Sequence, residues 1–226
     1  AIAVNDARMK YLLDNRYGTG QSTWDAIMRS TNLLVAGKTV LIIGYGWVGR
    51  GLALRARGLG ARVVVAELDP IKSVEALMEG HDVASLNEGI AQADIVLTAT
   101  GKPGVVGKEA LERVKDGAIL ANAGHFGYEI DKEALDEMSV EDREARPGVR
   151  AYRFIDGRTI YLLGEGELVN LSVADGHPAE IMDISFALQA LSLEYLARNG
   201  ATLSPRVYPV PEEIDTQVAR TVLSVR

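Results

Sequence analysis

Residues 39–67 read TVLIIGYGWVGRGLALRARGLGARVVVAE. TVLIIG (39–44) is a β-branched apolar run closed by glycine, the pattern of a strand buried on both faces. Val48, Leu52, Ala53 and Ala56 recur at helical spacing across 48–59, and ARVVVAE (61–67) is a second apolar run. Strand, helix, strand in this succession predicts a parallel βαβ unit with a right-handed crossover. The first turn carries Gly44, Gly46 and Gly49 in GxGxxG spacing, with Tyr45, Trp47 and Val48 between them. Gly44 permits the tight turn, Gly46 lets backbone approach a diphosphate, and Gly49 lets the helix pack close to the sheet. The positive end of the helix dipole then faces the bound anion. Glu67 lies 23 residues after Gly44, at the end of the second strand. A carboxylate there accepts both ribose hydroxyls of an adenine dinucleotide and repels a 2′-phosphate. The expected cofactor is therefore NAD in preference to NADP, with Lys72 close enough in sequence to soften the discrimination.

The alternation continues outward. DPIKSVEALMEG (69–80) reads as a second helix, with Asp69 as N-cap, Pro70 in the first turn and Gly80 closing it. ADIVLTAT (93–100) and GAILANAG (117–124) are the third and fourth strands, with a short helix over Lys108 to Val114. A helix from Thr23 to Val35 precedes the first strand. Asp156-Gly157 lies between two alternating runs and signals a hairpin. Ile181, Ile184, Leu188, Leu191 and Tyr195 give the stretch 178–200 one apolar helical face. Pro205, Pro209 and Pro211 predict an extended C-terminal connector. The pattern predicts a three-layer α/β/α, Rossmann-like, doubly wound parallel sheet. In such sheets ligands bind beyond the carboxyl ends of the strands. Thr98, Thr100 and Gly101 after the third strand are thus candidates for the adenine ribose side, and Asn122, Gly124 and His125 after the fourth for the nicotinamide side.

Composition removes several function classes. Asp plus Glu number 31 against 24 Lys plus Arg, a net charge of −7, so nucleic acid is not the expected partner. The absence of cysteine excludes disulfides, thiolate nucleophiles and Cys-ligated zinc, and fits a reducing, cytoplasmic setting. No apolar run approaches the roughly 20 residues that span a bilayer, and AIAVNDARMK has no signal-peptide pattern. The first residue is not Met and TVLSVR stops without a polar tail, so the chain is expected to be a piece of a longer one. The three histidines are scattered and HExxH is missing, so no metal site is expected. His81 reads as a surface residue. His125 and His177 sit in glycine-rich turns and are candidate proton carriers. Lys10 and Asp14, four apart, share one face of an expected helix.

Longer stretches carry a more specific signal. VNDARMKYLLDNRYGTGQSTWDAIMRSTN (4–32), GKTVLIIGYGWVGRG (37–51), AELDP (66–70), ANAGHF (121–126), LLGEGELVNL (162–171) and DGHPAEIMDISFALQ (175–189) resemble S-adenosyl-L-homocysteine hydrolases. The likeness is to the thermophile-like bacterial and archaeal branch and runs over essentially the whole chain. It implies a reaction in which bound NAD+ oxidises the substrate's 3′-hydroxyl, the ketone acidifies the 4′ C–H, homocysteine leaves from the 5′ carbon, water adds, and the hydride returns. It implies that Lys10 and Asp14 contact the 3′-hydroxyl and that His125 serves as acid/base at the 5′ side. Asn5, His177, Met182 and Phe186 fall to the substrate; Asn15, Asn170 and His177 join Gly44, Gly46, Trp47, Val48, Gly49, Glu67, Thr98, Thr100, Asn122, Gly124 and His125 around the cofactor. The implied division is a substrate-domain remnant at 1–16, an NAD-binding domain at 17–176 and a returning hinge helix and connector at 177–226. The family works as homotetramers or homodimers on S-adenosylhomocysteine, adenosine and homocysteine, without membrane or nucleic acid. Because the family's substrate-binding half precedes VND, this piece is expected to bind cofactor without turnover. Thr19, Lys72 and Asp175 stand where many relatives have Cys, Asn and Met, which leaves adenosyl and inosyl substrates both open. Two other readings also stay open: a 2-hydroxy-acid-type dehydrogenase and a non-catalytic NAD-binding module.

Overall fold

The inner strands of the central sheet feed two cores, and this decides the layering. The structure is a computed structural model and describes residues 1–225. Two units are distinct: residues 19–176, and residues 1–18 together with those from 177 onward.

In residues 19–176 the strands are β1 (Thr39–Ile43), β2 (Arg62–Ala66), β3 (Asp82–Val83), β4 (Ile95–Thr98), β5 (Ile119–Asn122), β6 (Ser139–Arg146), β7 (Val149–Phe154) and β8 (Thr159–Leu163). They form one sheet in the order β3-β2-β1-β4-β5-β8-β7-β6. The six strands from β3 to β8 pair in parallel, while β7 and β6 add antiparallel at the far margin. Alternate residues of the parallel strands point to opposite faces. Val40, Ile42, Val63, Val65, Ile95 and Leu97 meet Trp24, Ile27, Leu52 and Ala56 in one core. Leu41, Ile43, Val64, Val96 and Leu120 meet Ile90, Leu111 and Leu135 in the other. Both faces are covered by helices, which is why these strands read as unbroken apolar runs. The expected three-layer sheet is what the chain forms.

The helices Thr19–Thr31 and Trp47–Gly58 pack on each other through glycine. A Cβ at Gly20 would lie 2.7 Å from the Gly51 carbonyl, so the two backbones touch. Trp24 is buried at this seam and its Nε1 donates to the Leu52 carbonyl at 3.0 Å. The first helix begins at Thr19 and stops at Thr31 rather than running from Thr23 to Val35; Asn32 adopts φ 53° and ends it in a left-handed cap. The hairpin at Asp156-Gly157 is present, with Gly157 at φ 91°.

Several elements escaped the sequence pattern, among them the strand β3 and the helix Lys132–Met138. Leu86–Gln92 is a helix closed by a Ser85/Glu88 capping box. The strand β6 is exposed and charged along most of its length, so it shows no apolar alternation. The C-terminal stretch is not merely an extended connector: after the short strand Tyr208–Pro209 it forms the helix Glu212–Ser224, with Glu212, Glu213 and Asp215 favourably placed in its first turn. His81 is also not a surface residue. It is 6% exposed and edge-on to the Tyr45 ring at 6.0 Å. Burial, the main influence, holds its pKa below the ordinary value.

In the other unit Ile2–Ala3 pairs in parallel with Tyr208–Pro209. Ile184 and Leu188 of the helix Ala179–Asn199 pack with Ala7, Ile214 and Val218. Asp215 accepts the backbone N–H groups of Arg8 and Met9, both at 2.9 Å, and so caps the helical segment that starts there from another part of the chain. Among the described residues no helix is long and apolar enough to cross a membrane.

Replacing Trp24 by Phe removes the Leu52 hydrogen bond and some buried volume, a loss of about 1–2 kcal/mol of stability. Urea unfolding followed by circular dichroism should show the shift; an unchanged midpoint would place the Trp24 contact outside the fold's energetics.

Candidate cofactor crest and a separate polar cluster

The sheet order reverses between β1 and β4, so a crevice opens beyond the carboxyl end of β1. Gly44 turns the chain there with φ 94°. The helix Trp47–Gly58 starts so close behind it that a Cβ on Gly49 would lie 2.0 Å from the Gly44 carbonyl. Gly46 is the opposite case: a Cβ there meets nothing within 4 Å. The turn is thus tight underneath and open above, and the first backbone N–H groups of the helix sit at the opening.

Tyr45 anchors the turn. Its ring is 0% exposed and its hydroxyl donates to Glu79 Oε2 at 2.6 Å. Burial, aided by the Glu79 bond and charge, pushes the phenol pKa far up, so it stays a donor. Arg50 lies over the Trp47 ring at 4.5 Å and pairs with Glu75. The Tyr45 N–H donates to Glu67 Oε2 at 2.7 Å, while Glu67 Oε1 accepts from the Leu68 and Asp69 N–H groups at 2.7 and 3.0 Å. Burial favours the neutral acid, but the N–H donors of Asp69, Tyr45 and Leu68 and the Lys72 charge outweigh it, and the Glu67 pKa is lowered. The carboxylate is held ionised beside the turn, with lone-pair capacity left for hydroxyl donors. Lys72 is drawn toward Asp69 Oδ2, 3.6 Å away.

At the neighbouring strand ends the side chains divide. Thr98 and Asn122, expected to reach ligand, are fully buried and bonded to protein: Thr98 Oγ1 donates to Asn122 Oδ1 at 2.9 Å, and Asn122 Nδ2 donates to the Phe126 and Gly166 carbonyls. The Gly124 N–H also donates to Asn122 Oδ1. These two residues fix the loops that edge the crest. Thr100 and Gly101 are fixed by a residue the sequence did not reveal. Glu129, 0% exposed, accepts the Thr100 N–H at 2.9 Å, the Thr100 hydroxyl at 2.8 Å and the Gly101 N–H at 2.6 Å. An isolated Glu among loop residues carries no sequence signal for such burial. His125 is exposed, its ring edge-on to Phe126 at 4.5 Å.

Asn170 is buried on the same unit and its Nδ2 donates to Ser22 Oγ at 2.9 Å. Its Oδ1 has no partner. A buried acceptor left open suits a carboxamide N–H, and Gly46 leaves the space that a diphosphate needs. The residues of this unit therefore fit a nicotinamide dinucleotide.

Lys10, Asp14, Asn15 and His177 belong to the other unit. The helix that starts at Arg8 widens into π winding over Tyr11–Gly18. Such winding brings residues five apart into line as well as four. Lys10 Nζ accordingly donates to Asn15 Oδ1 at 2.9 Å and faces Asp14 Oδ1 at 3.2 Å. The regular helix expected from sequence accounts for the Lys10–Asp14 contact alone. His177 Nδ1 lies 3.6 Å from Asp14 Oδ1. Burial is the main cause of its lowered pKa, with Asp14 opposing and Lys10 adding to the shift. Ser185 Oγ donates to Asp14 Oδ2 at 2.8 Å, a contact between segments 171 residues apart that no local pattern signals. Met182 is half-buried, Phe186 is 56% exposed, and Asn5 is exposed on the turn Val4–Asp6. Among the described residues no group of three or more metal-ligating side chains exists.

Comparison with known proteins gives a consistent picture. Residues 15–176 match the family described as S-adenosyl-L-homocysteine hydrolase, NAD binding domain. The chain is 60% identical over 222 residues to an adenosylhomocysteinase of Thermotoga maritima, covering 98% of this chain and 55% of that protein. It is 61% identical to an adenosylhomocysteinase of Pyrococcus abyssi, covering 98% and 53%. An S-inosyl-L-homocysteine hydrolase of Methanopyrus kandleri is 57% identical, covering 98% and 53%. The chain thus spans about half the length of the curated relatives it matches. Among solved structures, the dipicolinate synthase A chain from Bacillus subtilis superposes with a TM-score of 0.55 at 14% identity, covering 83% of this chain and 57% of that one, which is a likeness of fold.

The two glycines of the turn should separate under substitution. Gly46→Ala should fold normally yet weaken NAD binding at least about tenfold, because only ligand competes for that space. Gly49→Ala should lower the melting temperature, because it meets backbone that cannot move away. Calorimetric titration and thermal melts on both variants check this; equal behaviour would contradict the geometry. Glu129→Gln should cost about 1–3 kcal/mol of stability, because an amide NH2 then confronts backbone donors.

Proposed function

The chain belongs to the S-adenosyl-L-homocysteine hydrolase family, of which it carries the NAD-binding domain, and on that premise we propose that it serves the reversible hydrolysis of S-adenosyl-L-homocysteine to adenosine and L-homocysteine. NAD, when bound, withdraws hydride from the substrate ribose and restores it at the end, so no net reduction occurs. The turn over Gly44, Gly46 and Gly49, with Trp47 and Val48 opening the helix, holds the diphosphate. Glu67 accepts the ribose hydroxyls on the adenosine side. Thr100 and Gly124 edge the crest through backbone fixed by Glu129 and Asn122. Asn170 Oδ1 accepts the nicotinamide carboxamide.

The substrate's protons fall to the second cluster. A Lys ammonium has three donors. Two of them on Lys10 are committed to Asp14 and Asn15, which leaves one direction for a substrate oxygen. This observation carries the reading: a Lys held by a carboxylate and an amide is suited to receive a 3′-hydroxyl and assist its deprotonation. His125 serves as acid/base at the 5′ side, and Asn5, His177, Met182 and Phe186 contact the substrate. The relatives' names include both adenosyl and inosyl enzymes. The adenosyl substrate is favoured by the 60% and 61% identity to proteins named adenosylhomocysteinase, against 57% to the one named an inosyl enzyme.

The enzyme that carries this chain should release homocysteine from S-adenosylhomocysteine without accumulating reduced nicotinamide. A thiol reagent reads the product against a blank of enzyme without substrate. Net NADH formed from a 2-hydroxy acid would overturn the reading. The 226-residue chain by itself should bind NAD and turn nothing over. Glu67→Ala should weaken NAD by about 10–100-fold and NADP far less; equal losses would remove Glu67 from the ribose.

A further inference from the structure

Asp14 is held through both of its oxygens. Oδ1 faces Lys10 and His177, and Oδ2 accepts the Ser185 hydroxyl at 2.8 Å. Ser185 is 2% exposed and lies inside the helix Ala179–Asn199. A serine hydroxyl in a helix interior ordinarily turns back to the carbonyl four residues earlier, and its propensity there is below that of alanine. Ser185 instead donates to a carboxylate 171 residues away in sequence. Ser192, two turns further along the same helix, is equally buried and has no partner for its hydroxyl, which shows that a buried serine here need not make such a contact.

We propose that Ser185 is a positioning residue for the 3′-oxidation step: its hydrogen bond fixes the plane of the Asp14 carboxylate, so that Oδ1 holds the Lys10 ammonium in line with the substrate's 3′-hydroxyl. This rests on the reading of Lys10 and Asp14 given above. Without the Ser185 donor Asp14 Oδ2 loses a fixed contact that helps to set the carboxylate plane, while Lys10 retains Asn15 as a partner. The bond links two segments that meet only after folding, so neither segment's sequence discloses it.

The test uses the complete enzyme with NAD bound and follows nicotinamide reduction by adenosine in a single turnover. Ser185→Ala should slow that reduction about tenfold, as expected for one charge-assisted hydrogen bond, with the KM for adenosine and NAD affinity unchanged and the enzyme still folded, its melting temperature lowered by only a few degrees. Ser192→Ala should leave the rate as it is. In an Asp14→Asn background Ser185→Ala should cause no further loss, because the partner through which it acts has been altered. A full rate in Ser185→Ala, or the same fold-loss in the Asp14→Asn background, would overturn the proposal while leaving the hydrolase reading intact. A wild-type enzyme that neither releases homocysteine nor reduces its nicotinamide with adenosine would overturn that reading and this role together.

Discussion

The contact between Gly49 and the Gly44 carbonyl is the constraint on which the rest depends. No side chain fits between them, so the helix starts at the minimum distance from the strand that precedes it. That distance turns the first N–H groups of the helix toward the crest of the sheet. It also places Tyr45 where its ring fills the core and its N–H meets Glu67. One residue thereby couples the interior, the glycine turn and the Glu67 carboxylate. A looser turn would break all three at once.

A second theme is the use of carboxylates to organise distant backbone. Glu67 gathers the N–H groups of Tyr45, Leu68 and Asp69; Glu129 gathers those of Thr100 and Gly101; Asp215 gathers those of Arg8 and Met9. Each replaces solvent with a fixed acceptor, so the loops are ordered before any ligand arrives. In a chain with a net charge of −7, the positive field at the start of the helix Trp47–Gly58 comes from local N–H dipoles and not from a surplus of lysine and arginine.

The parallel strands β1, β2, β4 and β5 were legible because each must satisfy two cores and therefore contains little but Val, Ile, Leu and Ala. Gly44, Gly49 and Glu67 were legible because a turn of this shape permits few alternatives. What stayed hidden depends on contacts between remote segments. Thr98 and Asn122 look like ligand residues at strand ends, yet they bond each other. His81 reads as solvated, yet it packs beside Tyr45. Glu129 and Ser185 gain their meaning only from partners that periodicity cannot locate. The π winding at Tyr11–Gly18 changes which neighbours Lys10 meets, and local propensity does not announce it. The helix Glu212–Ser224 did carry a signal in its acidic first turn, masked by the three prolines before it.

The margins of the sheet have a consequence for the molecule's life in a crowded solution. One margin is the two-residue strand β3; the other is β6, where Glu141, Asp142, Arg143 and Glu144 lie exposed and the register shifts twice. Neither offers a long apolar ribbon of unpaired peptide groups on which a foreign strand could grow. The fold therefore carries built-in resistance to amyloid-like stacking, and copies crowded together find no template for a continuous cross-β ladder at either end.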